Sequence, residues 1–96
     1  MMVLVTYDVN TETAAGRRRL RNVARACQDF GQRVQKSVFE CLVDPGQWVA
    51  LEDRLRKTID PEVDSLRFYF LGSKWHGKVE HVGARPAFDL EGPMVL

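Results

Sequence analysis

The first segment, Met2-Val3-Leu4-Val5-Thr6-Tyr7-Asp8-Val9, constrains this chain more than any other. It is an apolar, β-branched run, and it carries a carboxylate near its end. Apolar residues at both odd and even positions read as a buried central strand rather than a half-solvated edge. Such a strand must be covered, and the residues that follow supply the cover. Asn10-Thr11-Glu12-Thr13 suits a turn and a helix N-cap. From about Ala14 to Phe30 the apolar positions Leu20, Val23, Ala24 and Cys27 recur at helical spacing, with Gly31 placed as the C-terminal stop.

Residues 32–43 are strand-like but too long for one alternation, so the expectation is two short strands turning near Lys36-Ser37. Asp44-Pro45 offers an N-cap followed by proline at the first helical position. Trp48, Leu51, Leu55 and Ile59 mark the inner face of a second helix, which Asp60-Pro61 stops. Leu66, Phe68 and Phe70 alternate with Arg67 and Tyr69 in a strand reaching Gly72, and a weaker strand is expected at 78–82.

The order βαββαβ with an additional C-terminal strand predicts an α+β, ferredoxin-like fold: an antiparallel sheet with both helices on one face. At 96 residues the chain supports one domain, spanning 1–96. A domain of this size buries only about 60–65% of its unfolded surface, so its thin core invites a second subunit. The segment 73–96 reads as a C-terminal strand and tail. Rich in Gly and Pro yet ending Met94-Val95-Leu96, it is expected to dock on a partner subunit in a homodimer.

Composition excludes several classes. No apolar run approaches the roughly 20 residues that span a bilayer. The N-terminal segment lacks a basic leader and a small-residue cleavage site, which points to the cytoplasm. Cys27 and Cys41 form no CxxC pair and suit the core. His76 and His81 stand without a Cys/His cluster, and no glycine-rich phosphate loop is present.

The net charge of +1 conceals an uneven distribution: five arginines and no acid lie between Thr13 and Gln28, while Glu52, Asp53, Asp60, Glu62 and Asp64 gather later. Arg17, Arg21 and Arg25 recur every four residues as a stripe, with Arg18 alongside. A solvated helix face ordinarily mixes signs, because neighbouring like charges repel. A face without acids therefore favours phosphate binding, to which the forked guanidinium is suited. Arg33, Gln35, Lys36 and Ser37 add polar donors beside the strand pair. Phe39 has two uses open to it, stacking on a base or filling the core, and Tyr7 is similarly ambiguous.

Asp8 also has two readings. It is a turn or capping carboxylate, or it is a ligand for a hard cation such as Mg²⁺, which takes one or two carboxylates besides water and phosphate oxygens. One aspartate makes a poor site, but a twofold axis would supply a second copy.

Tyr7-Asp8 closing a first strand, the helix GRRRLRNVARAC at 16–27 and the run GQRVQKSVFECLVD at 31–44 carry a resemblance. Together they resemble the small CRISPR-associated endonuclease family that partners the CRISPR integrase, and the tail HVGARPAFDLEGPMVL at 81–96 resembles members accompanying a type I system. The resemblance implies a ferredoxin-like homodimer whose last strand reaches the other subunit's sheet. It implies that Asp8, near its symmetry mate, binds Mg²⁺ or another divalent cation such as Mn²⁺ for phosphodiester hydrolysis. It carries activity or nucleic-acid contact onto Tyr7, Arg17, Arg19, Arg33 and Phe39, beside the stripe residues Arg21 and Arg25. Its function would be CRISPR spacer acquisition, bridging integrase dimers and acting on single-stranded RNA or double-stranded DNA. A non-catalytic nucleic-acid scaffold and a toxin-like ribonuclease on the same fold are the alternatives.

Overall fold

A computed structural model describes residues 1–72 and 79–84. Its elements are β1 (Met2–Asp8), α1 (Ala14–Phe30), β2 (Gln32–Gln35), β3 (Val38–Leu42), α2 (Pro45–Thr58), β4 (Ser65–Leu71) and β5 (Val79–Gly83). The sheet order is β2-β3-β1-β4-β5, and every neighbouring pair is antiparallel. β1 and β2 therefore run parallel with β3 inserted between them, and β4 closes the other side of β1. This is the ferredoxin-like fold, extended by β5 on the β4 edge. The expectations for 73–78 and 85–96, including the docking tail, fall outside the described residues.

Alternation along the strands sets the two faces. Val3, Val5 and Tyr7 of β1 pair across with Cys41 and Phe39 of β3 and with Phe70, Phe68 and Leu66 of β4. These side chains join Val23, Ala26 and Cys27 of α1 and Trp48, Leu51 and Leu55 of α2 in one apolar core. Trp48 stands edge-on to Phe68 and Phe70, with centroids 4.9 and 5.3 Å away, an arrangement that suits the ring quadrupoles. The opposite face carries Met2, Leu4, Thr6 and Asp8, in register with Leu42, Glu40 and Val38 on one side and Leu71, Tyr69, Arg67 and Ser65 on the other. Leu4 and Tyr69 are buried there too, whereas Leu42 and Leu71 are exposed.

Local chemistry fixes the helix ends. The Thr13 hydroxyl accepts from Gly16 N–H at 3.0 Å and starts α1. Asp44 and Gln47 form a capping box, each side chain accepting the other's backbone N–H at 2.7 and 2.9 Å, with Pro45 at the first turn of α2. Gly31 ends α1 where expected. It follows α1 in an extended conformation, φ −161°, not the left-handed one of a glycine C-cap. Its glycine serves space instead: a Cβ would collide with the Glu40 carbonyl and sit 2.6 Å from Cys41 Sγ and 2.9 Å from Cys41 Cα.

Gly31→Ala should therefore destabilise the fold by about 1–3 kcal/mol, the usual range for forcing atoms into a packed site. A urea titration would read this as a lowered midpoint at unchanged slope. An unchanged midpoint would show that the chain leaves α1 along another path.

Candidate active site and nucleic-acid surface

β1 delivers Asp8 to its site. The strand is pinned on both sides at this end, because Asp8 lies opposite Ser65 of β4 and Tyr7 N–H donates to the Ser37 carbonyl at 3.1 Å. By the alternation of β1, Asp8 leaves the sheet on the face away from the helices, and it is exposed. The Asp8 carboxylate is a hard oxygen donor at a solvent boundary, which suits a cation that keeps most of its water. Among the described residues no three His, Cys, Asp or Glu side chains converge on one point.

Two residues beyond Asp8 the chain meets Asp64, a buried carboxylate that the sequence left among ordinary acids. Asp64 is 0% exposed. Its Oδ1 accepts Asn10 N–H at 2.9 Å, and its Oδ2 accepts Asp60 N–H at 2.9 Å and Arg19 Nε at 2.7 Å. Arg19 Nη2 reaches Oδ1 at 3.4 Å. The Asp64 carbonyl also accepts Ala84 N–H at 3.0 Å, and Gly83 is held there at φ 130° because a Cβ would strike that same carbonyl. Burial pushes the Asp64 carboxyl up, but Arg19 and the Asp60 and Asn10 N–H groups reverse this, leaving it below the usual carboxylate value. The same hydrogen bond to Asp64 raises Arg19 above the ordinary guanidinium value.

The arginines of α1 thus separate into two sets. Arg17, Arg18, Arg21 and Arg25 are exposed, and none is ion-paired with a described carboxylate. Arg17 Nη1 donates to the Thr11 carbonyl at 3.2 Å, holding its guanidinium beside the loop that follows Asp8. Arg19 turns inward. Helical position explains the split: Arg19 shares its sector with Gly16, Val23 and Ala26, three, four and seven residues away, all of them buried. That spacing was readable in the sequence and is the signal that distinguishes Arg19 from its neighbours. No acid occupies the first turn of α1, so arginines close to the positive end of the helix dipole gain nothing from it.

Arg33 is exposed on β2, its guanidinium carbon 5.1 Å from the Phe39 ring centroid. Phe39 itself is 0% exposed and stacks on Tyr7 with centroids 6.2 Å apart. Of the two uses open to Phe39, the structure takes the core; no face of its ring is presented for a base to stack on, and Tyr7 is likewise buried. Burial pushes the Tyr7 phenol up, partly offset by Arg33, so it stays protonated near neutral pH. Burial also raises the Cys27 thiol to about 12 and Cys41 to about 11, which removes both as thiolate nucleophiles. Lys36, Gln35 and Gln32 are exposed around the same hairpin.

These features define a class: small ferredoxin-like proteins with an acid at the end of the first strand and an arginine-rich first helix. The profile described as CRISPR associated protein Cas2 matches residues 1–79, and the chain belongs to that family. The CRISPR-associated endoribonuclease Cas2 of Chlorobaculum tepidum is 67% identical over 96 residues, covering 100% of both chains. The CRISPR-associated endonuclease Cas2 of Halalkalibacterium halodurans is 56% identical, also over the whole of both. The crystal structure of Streptococcus pyogenes Cas2 at pH 6.5 superposes with a TM-score of 0.70 at 61% identity, covering 86% of this chain and 100% of that one.

Two outcomes follow from the charges. Replacing Arg17 and Arg21 together with glutamate should leave thermal stability nearly unchanged and cut affinity for a nucleic-acid duplex at least about tenfold at low salt. Each lost phosphate contact lowers the slope of log affinity against log salt by about 0.9 on B-DNA; an unaltered slope would place the phosphate surface elsewhere. Asp64 is lowered in the folded state, so its stabilising contribution is complete above about pH 4, the unfolded carboxylate range, and is lost as pH falls through the folded value. A melting series from neutral to acid pH should steepen below that point. Asp64→Asn should flatten that part of the curve, and an identical acid limb would remove Asp64 as its cause.

Proposed function

We propose that this chain is a homodimeric subunit of the CRISPR spacer-acquisition machinery that binds nucleic acid through α1 and hydrolyses phosphodiester bonds at paired Asp8 carboxylates. The observation that carries the reading is the position of Asp8: exposed, at the end of β1, on the helix-free face of the sheet. Two copies packed through that face can bring their Asp8 side chains together. At the other end of the same face Leu42, Met2 and Leu71 lie in register across three strands, with Leu42 72% and Leu71 40% exposed. An apolar row in water is what a self-complementary interface requires.

Asp8 and its symmetry mate would hold Mg²⁺ or Mn²⁺. What such a cation supplies when bound is a water of lowered pKa and stabilisation of charge on the phosphate. The chain's own groups do the rest. Arg17, Arg21 and Arg25 neutralise and orient the backbone of the bound strand, and Arg33 adds a further cation on the β2–β3 hairpin. Contacts of this kind carry little sequence preference, so the substrate class is a phosphodiester backbone, in single-stranded RNA or double-stranded DNA. The relatives called endoribonuclease and endonuclease support hydrolysis as the chemistry. Within the acquisition complex the dimer would bridge two copies of the integrase. No described helix is long and apolar enough to cross a membrane.

Asp8→Ala decides between catalysis and a purely scaffolding role. Mg²⁺-dependent cleavage of labelled RNA and duplex DNA should fall at least about a hundredfold, a loss of roughly 2.7 kcal/mol of transition-state stabilisation. Dimer mass and nucleic-acid affinity should stay within about twofold of wild type, a difference under 0.5 kcal/mol. Cleavage that survives the substitution, or a wild-type protein that cleaves neither substrate across metals and pH, leaves the scaffold reading in possession.

A further inference from the structure

We infer that Arg19 and Asp64 form a clasp that positions Asp8, and that Arg19 serves as a positioning residue and not as part of the phosphate surface. The functional consequence rests on the reading of Asp8 proposed above; the clasp itself does not.

Geometry builds the inference in three steps. First, the strand carrying Asp8 ends where β4 begins, with Asp8 opposite Ser65. Asp64 precedes Ser65, and its side chain takes the Asn10 N–H two residues past Asp8 at 2.9 Å. Asp8-Val9-Asn10 is therefore tied at one end by the strand ladder and at the other by a carboxylate. Second, the carboxylate is itself held from two sides. Asp60 N–H donates to it from the turn after α2, and the Arg19 Nε donates to it from α1 at 2.7 Å. Third, α1 is pressed against the same loop, since a Cβ at Gly16 would collide with the Asn10 carbonyl. Movement of α1 near Arg19 must then shift Asn10, and with it the direction in which Asp8 leaves the sheet.

Arg19 suits this role better than phosphate contact. Its side chain is 21% exposed and its partner 0%, so turning outward to a phosphate would strand a buried carboxylate. Only the forked guanidinium can address both Asp64 oxygens from one side. Arg17, two residues earlier and exposed, has no such commitment.

The test uses the full chain carrying Arg19→Gln, Arg19→Lys, Asp64→Asn, the double variant Arg19→Gln/Asp64→Asn, and Arg21→Gln for comparison. Three quantities are read: hydrogen exchange at the Asn10 amide, the salt dependence of binding to a labelled single-stranded RNA, and the Mg²⁺ concentration giving half-maximal cleavage. For Arg19→Gln and Asp64→Asn, Asn10 exchange should accelerate about tenfold or more, as local opening loses its restraint. RNA affinity should stay within about twofold and its salt slope unchanged, whereas Arg21→Gln should lower that slope by about 0.7 and leave exchange alone. The half-maximal Mg²⁺ concentration should rise about tenfold or more, about tenfold being the lower edge of what loss of an orienting partner costs a metal ligand. The double variant should be no worse than the weaker single one, because both break one unit. Arg19→Lys should recover part of the exchange protection through its charge without the fork.

A salt slope reduced by Arg19→Gln to the same extent as by Arg21→Gln, with Asn10 exchange unchanged, would overturn the inference. Should Asp64→Asn fail to fold, the part-exposed Arg19 variants still decide it. If wild type cleaves nothing, exchange and salt slope still settle the clasp, and only the proposed function falls.

Discussion

A carboxylate with no access to water must be compensated in place, and the compensation chosen for Asp64 joins four parts of the chain. Its side-chain oxygens take backbone N–H groups from the β1–α1 loop and the α2–β4 turn and the guanidinium of α1, while its carbonyl takes an N–H beyond β5. A buried anion supplied with three or four donors is satisfied, and its carboxyl is held below the usual value. The β1–α1 loop, the α2–β4 turn or α1 drifting away would leave the charge partly unpaired, which costs several times what an ordinary hydrogen bond contributes. The ferredoxin-like frame fixes the order of the strands. Asp64 fixes how the end of β1 meets the start of α1, which is where Asp8 sits.

Much of this frame was legible in the residues. The periods of two and 3.6 placed every described element within a residue or two of where it lies, because the core side chains that set the period are also the ones buried. Capping chemistry was equally direct: Thr13 and Asp44 accept the N–H groups that their positions predict. Gly31 was placed correctly as the stop of α1, but the reason for a glycine there was not legible: freedom of φ and freedom from a Cβ both explain one, and the sequence cannot see Glu40 and Cys41 approaching from β3. Phe39 was ambiguous for a similar reason, since its burial is decided by what α1 and Tyr7 place over it.

Asp64 was missed for a deeper reason. In the run Asp60-Pro61-Glu62-Val63-Asp64 all three acids look like turn residues, and nothing local says that one is sealed from water. Besides the nearby Asp60 N–H, its partners Arg19 and Asn10 are 45 and 54 positions away in sequence. Arg19 was recoverable where Asp64 was not. Counting at helical spacing from Val23 and Ala26 puts it on the inward side, and an arginine there demands an acid. The family resemblance, which weighs residues by identity, carried Arg17 and Arg19 together and so masked a difference that helical geometry exposes.

The chain's acids and bases are sorted by helix as well as by sequence. On α2 each cation finds an anion: Arg56 meets Glu52 at 2.9 Å and Glu80 at 3.2 Å, Lys57 meets Asp53 at 2.9 Å, and Arg54 crosses to Asp29 of α1 at 2.7 Å. Exposed pairs of this kind add little stability. Their effect is on the field, because they neutralise the cations of one helix while the exposed arginines of the other stay unneutralised by any described acid. Among the described residues the exposed cations left without an acid thereby gather on α1 and, with Arg33 and Lys36, on the β2–β3 hairpin, and α1 opens directly off the strand that ends in Asp8. Concentrating cations there opposes the helix dipole and gains no pairing energy. An arrangement that costs the isolated fold and does nothing for its core is what the proposed contact with a polyanion would account for.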